Sequence, residues 1–358
     1  MHAMKAVEVI APNFKKRMSG VSATVFRLVP VQARSLGIVA VGPAIPEEVP
    51  QVPLRALVTM SRSGPSGARI WHARRNNEMI AGLALKHLLR KRLRLVFTSA
   101  AQRRHKPFTR WLLRRMDHVV ATSTHSAAYL EVDYTIVHHG IDTARFRPAQ
   151  DKPALRRELG LPENALLVGC FGRIRHQKGN DLFVETMLRL MESRPGVHAV
   201  MMGGVTAKHR AFADALSRRV ARSPVAERFH LLPEHVASWD ISAWFRALDL
   251  YIAPQRWEGF GLTPLEAMGC GVPVVATRVG AFEDLIVEGK TGCLVDIGDV
   301  DAMERAAARL LDDGELRRAW SRNAAAHVRA RFRIEDEARA LNTMYRALLD
   351  VNRPSGTG

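Results

Sequence analysis

Short apolar runs alternate with amphipathic stretches along nearly the whole chain. In the first half, residues 6–11 read as a strand, Ser19 and Gly20 as a turn, and residues 21–36 as a helix. Further strand-like runs lie at 37–41, 70–72, 95–98, 119–122 and 135–138, with helix-length segments at 76–90 and 106–116 between them. A second series follows the turn-rich residues 147–153. Its predicted strands are 166–171, 199–203, 229–232, 250–253, 272–277 and 292–295, and after Asp299 the pattern is helical almost to the end. Strands alternating with helices predict parallel sheets covered by helices. The expected class is α/β: two doubly wound, Rossmann-like domains with a cleft where the carboxyl ends of both sheets face each other. The expected divisions are an acceptor-side domain over 1–148, a nucleotide-binding domain over 149–335, and a C-terminal helix and tail over 336–358.

Composition narrows the class. A chain of 358 residues with 47% apolar and 25% charged positions can bury real cores and leaves little room for disorder. Cys170, Cys270 and Cys293 show no metal-ligand spacing, so no metal site and a reducing, cytosolic compartment are expected. Glu8 interrupts the one apolar run near the N-terminus, and no stretch reaches the about 18 apolar residues of a membrane-crossing helix.

The net charge of +18 is unevenly placed. Residues 1–148 hold 24 Lys/Arg against 8 Asp/Glu, whereas 149–358 hold 29 against 27. That asymmetry predicts a polyanionic partner for the first half. Ten cations and no acid fall between Arg90 and Arg115, including Arg104 beside His105. On a helix near 106–116, Phe108, Trp111 and Leu112 could enter a lipid interface while Arg110, Arg114 and Arg115 meet headgroup phosphates; packing of Trp111 and Leu112 in the core is the other reading. An anionic membrane surface through residues 90–115 is the expected partner. Nucleic acid is not, because the run lacks stacking aromatics or a recognition helix.

Two segments carry candidate chemistry. Residues 168–179 form a strand, a glycine turn at Gly172, then Arg173 and Lys178 ahead of a helix. A diphosphate there would meet backbone N–H groups, a bidentate guanidinium and a mobile ammonium. In residues 258–269, Glu258 and Glu266 bracket Phe260, Gly261, Leu262, Thr263 and Pro264. Thr263 reads as an N-cap and Pro264 as the first helical residue, aiming a positive helix end at an anion. Glu266 has two readings, the acidic member of a capping box or a carboxylate for ribose hydroxyls.

With Gly172-Arg173, Lys178-Gly179, the two glutamates, the 271–277 stretch and Gly140-Ile141-Asp142 followed by Phe146 and Pro148, the chain resembles the retaining GT-B glycosyltransferases of family 4. Residues 104–117 and 71–79 narrow the likeness to lipopolysaccharide core mannosyltransferases. The resemblance implies transfer of mannose from GDP-mannose, without a bound metal or other cofactor, to an acidic Kdo sugar on a lipid-linked core, at the inner face of the cytoplasmic membrane. It implies catalytic roles for Arg173, Lys178 and Glu258. Gly172, Phe260, Gly261, Leu262, Thr263, Glu266, Leu232, His235 and Gly20 would bind donor. His72, Arg74, Arg75, Arg104 and His105 are the acceptor-side candidates. Residues 98–102 depart from the family's pattern, lacking its usual active-site histidine. A same-fold transferase with another sugar nucleotide or lipid acceptor is the nearest alternative, and a nucleotide-sugar epimerase, distinguished by turnover of donor without acceptor, is a further one.

Overall fold

The computed structural model describes residues 4–16, 19–232 and 241–350. It divides into two compact units, Met1–Gly140 with Ile334–Gly358, and Ile141–Arg333. In chain order the first unit contains β1 (Val9–Pro12), α1 (Gly20–Gln32), β2 (Ile38–Val41), β3 (Gln51–Val52), α2 (Ala56–Thr59), β4 (Arg69–Ala73), α3 (Asn76–His87), β5 (Leu93–Ser99), α4 (Pro107–Leu113), β6 (His118–Ala121), α5 (Thr124–Ala127) and β7 (Tyr134–Ile136). The second contains α6 (Lys152–Glu158), β8 (Leu166–Phe171), α7 (Asn180–Glu192), β9 (Val197–Met202), α8 (Arg210–Ala221), β10 (Phe229–Leu232), α9 (Ile241–Ala247), β11 (Leu250–Ala253), α10 (Leu262–Gly269), β12 (Val274–Thr277), α11 (Phe282–Leu285), β13 (Gly292–Val295), α12 (Val300–Asp312) and α13 (Gly314–Arg331). The chain then returns to the first unit as α14 (Ile334–Asp350).

Both sheets are parallel throughout, ordered β3-β2-β1-β4-β5-β6-β7 and β10-β9-β8-β11-β12-β13. Winding reverses between β1 and β4 and between β8 and β11, the points where such sheets bind ligands at their carboxyl edges. β1, β2, β11 and β12 are buried at every position, as their continuous apolar runs require when helices cover both faces. In the first unit, α1 and α14 pack one face through Val25, Leu28, Leu341 and Tyr345. Helices α2, α3 and α4 pack the other through Leu57, Met79, Leu85 and Leu112.

The division falls earlier than the expected residue 148. Ile141 and Phe146 are buried in the second unit's core, and the Ile141 N–H donates to the Phe332 carbonyl at 2.9 Å, which fixes 141–148 to that unit. The expected C-terminal helix begins at Ile334 and belongs to the first unit, because Ile334, Ala338, Leu341, Tyr345 and Leu349 form one apolar stripe on it. The two-residue strand β3 was not expected.

His72 ties this arrangement together. Its ring is fully enclosed on β4, with Nδ1 2.5 Å from the Tyr345 hydroxyl on α14 and Nε2 2.6 Å from Thr98 Oγ1 on β5. The expectation that His72 meets an acceptor is therefore corrected: both ring nitrogens are spent inside the unit. Burial first, then the Arg74 charge, holds its pKa well below the ordinary histidine value.

A folded-state pKa below the unfolded one means that the unfolded chain takes up a proton that folded His72 does not. Stability therefore falls as pH drops below about 6.5, by up to about 1.4 kcal/mol per pH unit from this residue. His72→Gln removes that component, so denaturant titrations between about pH 7 and pH 5 should show a shallower pH loss for the variant than for the unmutated protein. Equal losses would contradict the assignment.

Candidate functional site

The carboxyl edge of the second sheet collects the two sequence segments singled out above. Strand β8 ends at Phe171, and Gly172 follows with φ +131°. Arg173 is exposed in the loop, and Lys178 closes a short 3-10 turn over His176–Lys178 just before α7. Gly179 has φ +68°, and a Cβ there would lie 1.8 Å from the Pro254 carbonyl oxygen. Only glycine allows this turn to sit so close to the loop leaving β11. That approach brings Lys178 to Glu258, whose Oε2 pairs with the ammonium Nζ. The remaining oxygen, Glu258 Oε1, accepts from the Gly259 N–H at 3.0 Å.

Helix α10 starts earlier than its sequence suggests. Its N-cap is Gly261, in the left-handed region at φ +91°, and a Cβ there would lie 2.1 Å from Phe282 Cε1. Thr263 is thus the second helical residue rather than the cap, and no side chain caps the helix. The capping-box reading of Glu266 falls with it. Glu266 is instead buried, 3% exposed, within α10. Leu262 and Thr263 supply first-turn N–H groups, which have no acceptor within a helix. Phe260 is buried in the second unit's core. Under the edge, Tyr251 Oη donates to the Phe171 carbonyl at 3.0 Å and accepts from the Phe171 N–H at 3.2 Å. Burial drives its pKa well up, and a hydrogen bond with the Thr263 side chain opposes that rise. The phenol therefore fixes the end of β8 beneath the start of α10. Leu232 is half-buried at the end of β10, and His235 lies outside the described residues.

Sequence reasoning missed a clamp that holds these loops. Arg256 forms a two-pronged ion pair with Asp181 in the first turn of α7, at 2.7 and 2.8 Å. The same guanidinium donates to the His176 carbonyl at 2.8 Å, and the Arg256 N–H donates to the Gln177 carbonyl at 3.0 Å. Burial opposes ionisation of Asp181, but the hydrogen bonds and charge of Arg256 outweigh it and hold the carboxyl below its usual range. The legible signal was an arginine two residues before Glu258 and an aspartate three after Lys178.

The first-unit candidates separate. Gly20 opens α1 behind the N-cap Ser19, with open space where a Cβ would be. Arg75 is engaged within the unit: its guanidinium donates to Asn13 Oδ1, Glu78 Oε1, Ser19 Oγ and Ser22 Oγ at 2.7–3.1 Å. It ties Asn13 to Ser19 and Ser22 at the start of α1, which corrects its assignment to the acceptor. Arg74 lies beside it, donating to the His72 carbonyl at 3.2 Å. Arg104 forks onto Glu131 at 2.8 and 3.0 Å. His105 is half-buried, with Nε2 3.1 Å from Ser99 Oγ at the carboxyl end of β5, and burial lowers its pKa. Among the described residues, no group of three or more His, Cys, Asp or Glu is placed to hold a metal ion.

Residues 151–327 match the family model of glycosyl transferases group 1. The lipopolysaccharide core biosynthesis mannosyltransferase LpsB of Rhizobium meliloti (strain 1021) is 50% identical over 352 residues, covering 97% of this chain and 99% of that one. The lipopolysaccharide core biosynthesis mannosyltransferase LpcC of Rhizobium leguminosarum bv. viciae is 48% identical over 355 residues, 99% of this chain and 100% of that one. Among solved structures, Anabaena HepE in complex with UDP superposes with a TM-score of 0.82 over 95% of this chain and all of that one, at 18% identity, a likeness of fold alone. The C-terminal domain of LpcC from Francisella tularensis matches 55% of this chain and all of that one, with a TM-score of 0.52 and 30% identity. With two doubly wound units and relatives matched end to end, the chain belongs to the lipopolysaccharide core mannosyltransferase family of GT-B glycosyltransferases.

Proposed function

We propose that this protein moves mannose, with retention, from GDP-mannose to an acidic, Kdo-containing lipid-linked core. What carries the reading is end-to-end identity of 50% with LpsB, together with Lys178 and Glu258 meeting at the carboxyl edge beside the start of α10. As the bond from the sugar's anomeric carbon to the donor phosphate breaks, negative charge grows on the departing diphosphate. Arg173, Lys178 and the first-turn N–H groups of α10 supply fixed positive potential for it. Lys178 exchanges Glu258 for the diphosphate when donor arrives, and Glu258 turns to the sugar hydroxyls. Glu266, buried in α10, takes the ribose, and Leu232 lies toward the base. Gly20 leaves room for a phosphate or acceptor at the first unit's α1. The resident charges do this work, with no divalent ion assigned a role.

On the acceptor side, Arg74, Arg104 and His105 are the groups retained for an anionic sugar. His105 stands at the carboxyl end of β5, where a ligand of that sheet would lie. The excess of cations in the first unit suits both an acidic glycolipid and an anionic membrane surface at residues 90–115, and the likeness to lipopolysaccharide core enzymes supports work on the inner face of the cytoplasmic membrane. Among the described residues, no helix is long and apolar enough to cross a membrane. The exposed pair Phe108 and Trp111, stacked with ring centroids 5.9 Å apart, provides the apolar part of that contact. Leu112 is buried in the core instead, so the reading that put Trp111 and Leu112 there together holds for Leu112 and not for the exposed Trp111.

Two outcomes test this function. Arg173→Ala and Lys178→Ala should each lower mannose transfer at least about a hundredfold, equivalent to about 2.7 kcal/mol of transition-state stabilisation; near-normal transfer by both folded variants would remove the diphosphate assignment. In a thermal-shift comparison, GDP-mannose should raise the melting temperature more than UDP-glucose does. A ligand at 100 times its dissociation constant stabilises by about 2.7 kcal/mol. A larger shift with the uridine donor would contradict the choice of nucleotide.

A further inference from the structure

The layer of α2, α3 and α4 hides one face of the first sheet and shows its other side to solvent. Seven of the large apolar side chains exposed in the structure lie there: Leu54, Val58, Ile80, Leu88, Leu89, Phe108 and Trp111. Leu88 is 79% exposed and Val58 61%. Four of the seven, Leu54, Val58, Leu88 and Leu89, border an open groove of about 340 Å³ between α2 and α3, which Leu57 and Ala84 also line and which is almost wholly apolar. Exposed apolar residues scattered singly need no explanation, but a contiguous groove of this kind does.

Cations outnumber acids in the chain that forms and flanks the groove. Between residues 49 and 116 there are sixteen Lys/Arg and a single acid, Glu78, which is buried and bound by Arg75. A basic hollow lined by Lys86, Lys91, Arg92 and Arg94 adjoins the groove where α3 ends. Lys91 joins the two, since its ammonium donates to the Val58 and Met60 carbonyls at the end of α2. The facing acid is Asp117, which pairs with Lys86 and Arg94; Arg92 is exposed in the same hollow. At the α4 end, Glu131 engages Arg104, Arg110 and Arg114, while Arg115 lies over the Trp111 ring at 3.6 Å.

We propose that the α2–α3 groove is a bilayer-docking site, in which Leu54, Val58, Leu88 and Leu89 enter the acyl boundary of an anionic membrane while the exposed Arg55, Arg90 and Arg92 meet its phosphates. The occupant is set by complementarity: apolar side chains rimmed by cations match the boundary between hydrocarbon and anionic headgroups. The site extends the membrane contact proposed for residues 90–115 to a separate pair of helices, and it rests on that reading for the choice of a bilayer as partner. Helix α3 borders the groove near its C-terminal end and is tied to α4 at its first residue, where Asn76 Nδ2 donates to Thr109 Oγ1 at 2.8 Å.

The test is co-sedimentation of the full chain with phosphatidylglycerol-containing vesicles and with phosphatidylcholine vesicles. The unmutated protein should bind the anionic vesicles selectively. The double variant Val58→Ser/Leu88→Ser, altered at two exposed positions, should bind them at least about tenfold more weakly, about 1.4 kcal/mol, with transfer to a deacylated, water-soluble acceptor unchanged. Binding by the double variant equal to that of the unmutated protein would overturn the proposal, as would absence of binding to anionic vesicles. A concentration-dependent dimer in sedimentation velocity that the double variant abolishes would also overturn it, in favour of a second copy of the chain. Selective vesicle binding lost with the groove pair supports the docking site whether or not mannose is transferred, so this proposal and the transferase reading can fail separately.

Discussion

Lys178 and Glu258 carry opposite charges on loops that leave different strands, and holding them together depends on how closely those loops can approach. Gly179 admits the Pro254 carbonyl to a distance that any side chain would forbid, and Arg256 with Asp181 then locks the two loops. With less than a fifth of either side chain exposed, the cost of desolvating the two charges offsets much of their attraction, so the pair contributes little net stability by itself. Its consequence is organisational: an ammonium is kept at the carboxyl edge, beside the opening turn of α10, by a partner it can leave. The proposed chemistry needs such a group, because charge on a leaving diphosphate grows only as the bond breaks, and donors already in place need not reorganise to meet it.

The same logic separates the two sets of arginines in this chain. Arg69, Arg75 and Arg156 are spent inside the fold on carbonyls and carboxylates, where losing a partner would strand a charge. Those along residues 90–115 have few acids within reach and are mostly exposed, and it is they that give the first unit its excess. A count of cations does not distinguish these roles; burial and partners do.

Much of the architecture was legible from periodicity, because both sheets are parallel and their buried strands read as uninterrupted apolar runs between helical segments. The edge strand β3, two residues long, carries no periodic signal. At α10 a strong local signal misled: Thr-Pro resembles a cap and first turn, but Gly261 reaches the left-handed conformation and starts the helix earlier. His72 and Arg75 were misjudged for a different reason. The partners that occupy them, Tyr345 for the one and Asn13, Ser19 and Ser22 for the other, are remote in sequence, so nothing local announces them. Likewise Ile141 and Phe146 look like linker residues until the core that buries them is known. Lys178 and Glu258 stood out in the sequence as a cation and a carboxylate beside glycine turns, but that the two meet is visible only in the fold.

The most direct test of this account is a crystal structure of the protein with intact GDP-mannose. The account predicts the donor's diphosphate within hydrogen-bond distance of Arg173 and Lys178 at the start of α10, with the Lys178 ammonium drawn off Glu258 and that carboxylate against the mannose hydroxyls. A diphosphate bound elsewhere, with the Lys178–Glu258 pair undisturbed, would contradict it.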